Sequence, residues 1–148
     1  MMFSTVMTVC VGNVCRSPVA EAVLKKLCPQ LTVASAGFAA PMGRRASSKM
    51  VELAAKDGLN LTNHKARRLS QATPDQFDLI LVMEDAHLKE MARQMPHLRA
   101  RTMLLTQWSG AEDIADPINE DAEFNATVYR QIMEAATAWS SKLGAGHG

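Results

Sequence analysis

The stretch that decides the fold is VCVGNVCRSP at residues 9–18, which joins an apolar run to an amphipathic segment. The run before it, residues 6–10, is short and rich in β-branched side chains, as is typical of a buried strand. Ser17 is a natural N-cap, and Pro18 suits the first turn of a helix because the N–H that proline lacks would be unpaired there. The stretch therefore predicts a strand, a tight loop and a helix over residues 18–27.

Outward from this stretch, the chain alternates apolar runs and amphipathic segments, a pattern that favours a parallel sheet covered on both faces. We expect further strands at residues 31–35, 78–83 and 101–106, and further helices at residues 46–57, 84–95 and 120–143. With right-handed crossovers these elements make one doubly wound α/β domain with a four-stranded parallel sheet. Residues 107–119 are predicted as a long loop, and residues 144–148 as a disordered tail.

Composition sets the broad class. A chain of 148 residues is the usual size of a single domain, here residues 1–148, and a net charge of +1 gives no reason to expect a nucleic-acid or membrane partner. No apolar stretch approaches the ~20 residues that span a bilayer, and the N-terminus lacks the features of a signal peptide. Three cysteines are few and odd in number for a secreted scaffold. We therefore expect a cytoplasmic protein whose cysteine chemistry is catalytic.

The loop between the first strand and the first helix is suited to a phosphate. In an open α/β fold this junction lies at the carboxyl edge of the sheet, where ligands bind, and the helix N-terminus favours an anion. Gly12 lets the backbone approach the ligand, and Asn13 tolerates left-handed backbone angles. The predicted phosphate-binding residues, whose N–H groups would surround one dianion, are Val11, Gly12, Asn13, Val14, Cys15 and Arg16.

Cys10 and Arg16 supply the chemistry that the loop prepares. Arg16 offers a planar fork that can grip two phosphate oxygens. Cys10 lies at the end of the strand, beneath the bound phosphoryl group, where the positive potential favours the nucleophilic thiolate. The alternative is an ordinary strand–turn–helix junction with a buried cysteine and a solvated arginine, which does not explain why both loop and helix start favour anions.

The run C-x-G-N-x-C-R-S-P, complete here from Cys10 to Pro18, resembles the phosphate loop of the low-molecular-weight protein tyrosine phosphatases. The likeness covers nearly the whole chain, and general similarity is greatest to the bacterial branch paired with exopolysaccharide-assembly tyrosine kinases. It implies hydrolysis of protein phosphotyrosine through a phosphocysteine on Cys10, with no metal or cofactor and with a tyrosine kinase as one candidate partner. The other matching segments are Ser35-Ala36-Gly37, His64-Lys65-Ala66-Arg67, residues 78–83 and Asp116-Pro117.

Asp116 is the candidate general acid. A carboxylic acid above the phosphate can protonate the leaving phenolate and then activate water against the phosphocysteine. Pro117 restricts the residue before it to extended conformations, so Asp116 is held in place. The resemblance assigns this Asp-Pro pair the acid role, and Asp113 is the nearest competitor.

The resemblance also implies a set of residues that support the phosphate loop. His64 would bond to Asn13 and hold its backbone in the left-handed conformation. Ser17 would bond toward the Cys10 thiolate, and Ser35 would support the loop from the second strand. Without the family context, His64 would be an ordinary loop histidine and Ser35 a strand-end serine.

The walls of the substrate cleft depart from the family pattern. Family members often carry two tyrosines after Asp-Pro, where this chain has Ile118 and Asn119. Pro41 and Met42 are the candidates for the opposite wall. We expect a weaker grip on the phosphotyrosine ring, because an aromatic pair contributes ~0.5–1.5 kcal/mol beyond burial.

A second cysteine in the loop suggests redox protection. Cys15 follows Cys10 by five residues, and an exposed thiolate oxidises readily. We expect peroxide to form a reversible Cys10–Cys15 disulfide, a pairing for which the family is known.

Three other activities stay open on the sequence. A protein-arginine phosphatase of this family carries Thr where this chain has Val14. The apolar Val14 favours phosphotyrosine over phosphoarginine. An arsenate reductase needs further cysteines, and none follows Cys28. A non-catalytic phospho-ligand module would need neither nucleophile nor acid. The histidines have no metal-ligand spacing, and no metal is expected.

Overall fold

The computed structural model describes residues 3–144, and its centre is a four-stranded parallel sheet. The strands are β1 (Thr5–Cys10), β2 (Thr32–Gly37), β3 (Leu79–Val82) and β4 (Thr102–Leu104), in the order β2-β1-β3-β4. All pairings are parallel. The predicted sheet is confirmed, and β1 lies at its centre, so the phosphate loop leaves the sheet between two neighbouring strands.

Four helices cover the sheet: α1 (Arg16–Leu27), α2 (Ser48–Lys56), α3 (Asp85–Gln94) and α4 (Ala122–Gly144). Successive β1 side chains alternate between two apolar clusters, with Val6 in one and Met7 in the other. The first cluster includes apolar side chains of α1, α2 and α4, and the second includes Met91 of α3. The predicted doubly wound α/β arrangement, with helices on both faces, is confirmed.

The fourth strand is shorter than predicted. Residues 101–106 were expected to be extended, but β4 covers only three residues between two 3-10 segments, Pro96–Arg101 and Leu105–Trp108. β4 is an edge strand, so it has one neighbour to hold it. The indole N–H of Trp139, in α4, donates to the carbonyl of Leu104 at 3.1 Å, and β4 ends at this residue.

Both ends of the last helix differ slightly from the prediction. α4 starts at Ala122, because Asp121 accepts the N–H of Phe124 at 2.8 Å and so caps the helix. Gly144 is the last residue of α4, so the predicted disordered tail does not begin there, and residues 145–148 lie outside the described part of the chain.

The expected N-cap of α1 is wrong. The helix begins at Arg16, Cys15 occupies the cap position without a side-chain hydrogen bond, and Ser17 lies inside the first turn. The Ser17 hydroxyl contacts the Cys10 sulfur at 3.0 Å and accepts from the Asn13 side chain at 2.8 Å, so it serves the loop and not the helix start.

None of the helices in residues 3–144 has both the length and the apolar character to cross a membrane.

Candidate active site

Cys10, the last residue of β1, is the centre of the candidate site. Its sulfur receives the backbone N–H of Asn13 at 3.2 Å and contacts the Ser17 hydroxyl at 3.0 Å. Its side chain is buried at the bottom of the loop, and α1 begins only six residues later. A sulfur anion here faces two donor groups and a helix N-terminus, which is the setting of a nucleophilic cysteine.

Asn13 holds the loop in a conformation that few residues adopt, with a φ of 56°. Its side-chain amide donates to the hydroxyls of Ser17 at 2.8 Å and Ser35 at 3.0 Å. Its side-chain oxygen accepts the backbone N–H of Arg67 at 2.9 Å, and its main-chain oxygen lies 2.6 Å from Nε2 of His64. The structure thus brings the three expected support residues onto Asn13. Sequence reasoning quoted Arg67 only as part of a matching segment.

Replacing Asn13 by alanine is expected to lower the free energy of unfolding by about 3 kcal/mol, since its side chain loses three hydrogen bonds, two of them buried, at about 1 kcal/mol each. Asn119→Ala is the matched control, because Asn119 also has a positive φ, 66°, but is exposed. Chemical denaturation of both variants measures the difference. Equal losses would show that Asn13 contributes only its backbone conformation.

Arg16 is buried, with 1% of its side chain exposed, and is fixed from two sides. Its Nη1 donates to the carboxylate of Glu84 and to the carbonyl of Ile114, the latter at 2.7 Å. Its Nε is buried and has no hydrogen-bond partner within residues 3–144. A buried donor without a partner costs about 1–3 kcal/mol, so this N–H suits an acceptor that enters the loop, as a phosphate oxygen would.

Glu84 and His87 stand behind Arg16, and sequence reasoning did not assign them a role. Glu84 lies two residues after β3, the strand next to β1 in the sheet, and that adjacency is the signal that could have identified it. His87 accepts the backbone N–H of Met83 on Nδ1 at 3.3 Å, and its Nε2 lies 3.5 Å from Glu84. Burial, together with the Arg16 charge, lowers the pKa of His87, so its ring is neutral at pH 7.

Asp116 lies at the mouth of the loop, in the segment between β4 and α4. Its Oδ1 accepts the N–H of Ile118 at 3.1 Å, and its Oδ2 is 3.8 Å from the Nη2 of Arg16. Pro117 is buried and its carbonyl accepts from Asn125 at 3.2 Å, which fixes the turn. The competitor Asp113 instead accepts the N–H of Asp85 at the start of α3, at 2.8 Å. The geometry therefore favours Asp116 as the acid.

The other loop residues connect the site to its surroundings. Val14 is buried and its carbonyl accepts the N–H of Ser47, the residue before α2, at 2.8 Å. Cys15 is also buried, and burial, followed by the charges of Asp116 and Cys10, raises its pKa to about 11. Cys15 is therefore a protonated thiol at neutral pH. Neither loop cysteine forms a disulfide in the structure.

Gly37 belongs to a segment that resembles the family, and the structure shows why a glycine is needed there. It ends β2, where a Cβ atom would lie 2.4 Å from the carbonyl oxygen of Val11 and 3.0 Å from the nitrogen of Asn13. Both are backbone atoms, which cannot move aside without displacing the loop. Glycine is therefore needed for the second strand to approach the phosphate loop this closely.

The expected cleft walls lie on two segments that flank the loop. Pro41 and Met42 are exposed beyond β2, whereas Ile118 is half-buried and Asn119 is exposed beyond Asp116.

Within residues 3–144, no three His, Cys, Asp or Glu side chains converge as a metal site would require. A cavity of about 670 Å³ lies behind the loop, where it touches the support residues Ser35 and His64 and not Cys10.

Comparison with known proteins gives one family. The family model described as "Low molecular weight phosphotyrosine protein phosphatase" matches residues 5–147. The chain is 38% identical to the low molecular weight protein-tyrosine-phosphatase Wzb of Escherichia coli K12, over 97% of this chain and 98% of the relative. Among solved structures, Vibrio vulnificus Wzb in complex with benzylphosphonate superposes with a TM-score of 0.92 at 43% identity, over 95% of this chain and 99% of that one. The arginine phosphatase YwlE of Geobacillus stearothermophilus superposes with a TM-score of 0.89 at 29% identity, over 97% and 94%.

Proposed function

The chain belongs to the low molecular weight phosphotyrosine protein phosphatase family, and from this premise we propose that it hydrolyses protein phosphotyrosine through a phosphocysteine on Cys10. The observation that carries the proposal is the buried Nε of Arg16, which has no partner within the described residues and lies in the loop whose sulfur is Cys10. A phosphoryl group bound to this N–H is also close to Asp116.

In the first step, the Cys10 sulfur attacks phosphorus in line with the tyrosyl oxygen. The sulfur–phosphorus bond forms as the phosphorus–oxygen bond breaks, and Asp116 gives its proton to the departing oxygen. The transition state is loose, so positioning and charge stabilisation provide most of the rate. The loop N–H groups and Arg16 supply that stabilisation.

In the second step, water attacks the phosphocysteine on the side that the tyrosine has left. Asp116, now a carboxylate, accepts a proton from this water, and the Cys10 thiolate leaves with the bonding electron pair. Inorganic phosphate is released and Asp116 is again protonated. The exposed position of Asp116 gives both the leaving group and the water access to its carboxyl group.

Asp116→Asn is expected to lower kcat/KM for a phosphotyrosine peptide roughly 100-fold, the low end of the usual contribution of a general acid, because kcat/KM reports the first step alone. The loss should be smaller for 4-nitrophenyl phosphate, because its leaving group needs little protonation. Asp113→Asn is the control, since Asp113 accepts from the start of α3. A loss that is the same for both substrates, or the same in both variants, would contradict the acid role.

Phosphotyrosine is the substrate class that the loop favours over phosphoarginine. Val14 is apolar and 6% exposed beside the site, whereas family arginine phosphatases are expected to carry threonine there. Hydrolysis of matched phosphotyrosine, phosphoserine and phosphoarginine peptides by the wild type tests this choice. Preference for phosphoarginine would overturn it, and no turnover at all would favour a phospho-ligand binding module.

The proposed setting is the cytoplasm, and the proposed partner is a tyrosine kinase of polysaccharide assembly. Similar relatives include Wzb of Salmonella typhi, 39% identical over 99% of both chains. All three cysteines are free in the structure, as reducing conditions would keep them.

The Cys10–Cys15 pair is proposed to protect the enzyme from peroxide. Peroxide would oxidise Cys10 to a sulfenic acid, and the Cys15 sulfur would attack it, forming the disulfide and releasing water. Cys15→Ser is therefore expected to lose most of its thiol-recoverable activity after peroxide treatment, and Cys28→Ser to keep it. Activity after reduction by dithiothreitol is the measurement, and equal recovery in all three proteins would refute the protective role.

A further inference from the structure

A segment between β2 and α2 forms an arch beside the phosphate loop. It leaves the loop where the N–H of Phe38 donates to the carbonyl of Cys10 at 3.0 Å. It returns where the N–H of Ser47 donates to the carbonyl of Val14 at 2.8 Å. Both ends of residues 38–47 are therefore anchored on the phosphate loop.

A second segment, residues 65–68, pairs with this arch. Arg45 and Lys65 are antiparallel partners, and the N–H of Ala66 donates to the carbonyl of Arg44 at 2.8 Å. Arg68 donates from Nε to the carbonyl of Ala40 at 3.1 Å. The two segments together display five exposed cations. Arg67 donates to the carbonyl of Ser35 at 3.4 Å, and the other four, which we call the basic rim, are Arg44, Arg45, Lys65 and Arg68.

The acidic side chains of the described residues do not neutralise the basic rim. Within residues 3–144, none of its four cations takes part in an ion pair. Arg45 and Lys65 lie directly opposite each other, and like charges in that position destabilise a strand pair. A surface that keeps such a repulsion is suited to an anionic partner.

The other side of the site has the opposite charge. Residues 112–123 contain six carboxylates and no lysine or arginine. This segment follows β4 at one edge of the sheet, and the arch follows β2 at the other edge, with the phosphate loop of β1 between them. The two sides of the site therefore carry opposite charge, so the two orientations in which a charged peptide can bind across it are not equivalent.

We propose that the basic rim binds negative charges on one side of the target phosphotyrosine, so that the preferred substrates are acidic or further phosphorylated on that side. The proposal rests on the proposed function and narrows its substrate class. With Ile118 and Asn119 where aromatic walls are usual, charge recognition at the rim supplies selectivity that ring contacts do not.

Three phosphotyrosine peptides of equal length test the proposal: one with neutral flanks, one acidic on the N-terminal side, and one acidic on the C-terminal side. One acidic peptide is expected to exceed the neutral peptide roughly fivefold in kcat/KM, since each exposed charge pair contributes little alone. The ratio should fall toward one at about 1 M salt, where the Debye length is ~3 Å. A second phosphotyrosine in place of the acidic residues shows which source of charge the rim prefers.

The Arg44→Ser/Arg45→Ser variant is expected to remove the preference between acidic and neutral peptides. Lys26→Ser/Arg93→Ser removes two exposed cations in the last turns of α1 and α3, and should keep that preference. Turnover of 4-nitrophenyl phosphate in the same samples reports whether the loop is intact, and Lys65→Gln is the second variant if the first does not fold.

Binding measurements separate this proposal from the reaction itself. The same peptides are titrated into Cys10→Ser, so that affinity is measured without turnover. A preference for one acidic peptide in binding supports the rim even if the wild type hydrolyses none of them. Equal affinities and equal kcat/KM values for neutral and acidic peptides would overturn the proposal while leaving phosphotyrosine hydrolysis standing.

Discussion

Cys10→Ser is expected to lower kcat for phosphotyrosine by at least about 10⁴-fold, the scale on which removal of a nucleophile acts. A serine hydroxyl at this position needs a base, and the groups that touch the Cys10 sulfur are an N–H and a hydroxyl. The exchange of sulfur for oxygen is nearly isosteric, so the fold should survive.

Cys28→Ser is the matched control for this substitution. Cys28 is also buried, and its sulfur donates to the carbonyl of Ser140 at 3.8 Å. Turnover is measured together with chemical denaturation for both variants. Residual activity of Cys10→Ser above one hundredth of the wild-type value, in a folded sample, would contradict the nucleophilic role.

Arg16→Lys is expected to lower kcat/KM roughly 1,000-fold, comparable to the loss of an arginine that stabilises phosphoryl transfer. Lysine keeps the positive charge but has a single nitrogen. It cannot donate to Glu84 and Ile114 and also present the N–H that Nε now offers. The loss therefore comes from geometry and not from charge.

Arg101→Lys is the control for the general effect of exchanging an arginine. Arg101 donates to the carbonyls of Asp75 and Phe77, before β3 and away from the carboxyl edge of the sheet. Steady-state kinetics with 4-nitrophenyl phosphate compares the two variants. If Arg16→Lys lost no more activity than Arg101→Lys, then charge alone would account for phosphate binding.

The strand, loop and helix that form the site could be predicted from residues 9–18 because the signals there are local. Periodicity locates the strand, and the helix start and the glycine restrict the loop between them. Asn13 could be predicted as left-handed for the same reason, and its φ of 56° agrees.

The residues that sequence reasoning missed act through contacts between distant segments. Glu84 reaches Arg16 across 68 residues, and Gly37 is required by the backbone of a neighbouring strand. Local rules predict Ser17 as a helix cap, and the family resemblance alone implies its contact with the Cys10 thiolate. In the fold, the Ser17 hydroxyl contacts the Cys10 sulfur and accepts from the Asn13 side-chain amide, so it does not cap the helix.

Acid quenching of Asp116→Asn during turnover of 4-nitrophenyl phosphate tests the central claim most directly. The good leaving group lets the first step proceed, while the missing base slows hydrolysis of the intermediate, so the phosphoenzyme should accumulate. Mass spectrometry of the peptide that contains Cys10 and Cys15 is expected to show one added phosphoryl group, with fragmentation placing it on Cys10. A phosphoryl group on another residue, or turnover with no phosphoenzyme at all, would contradict the account.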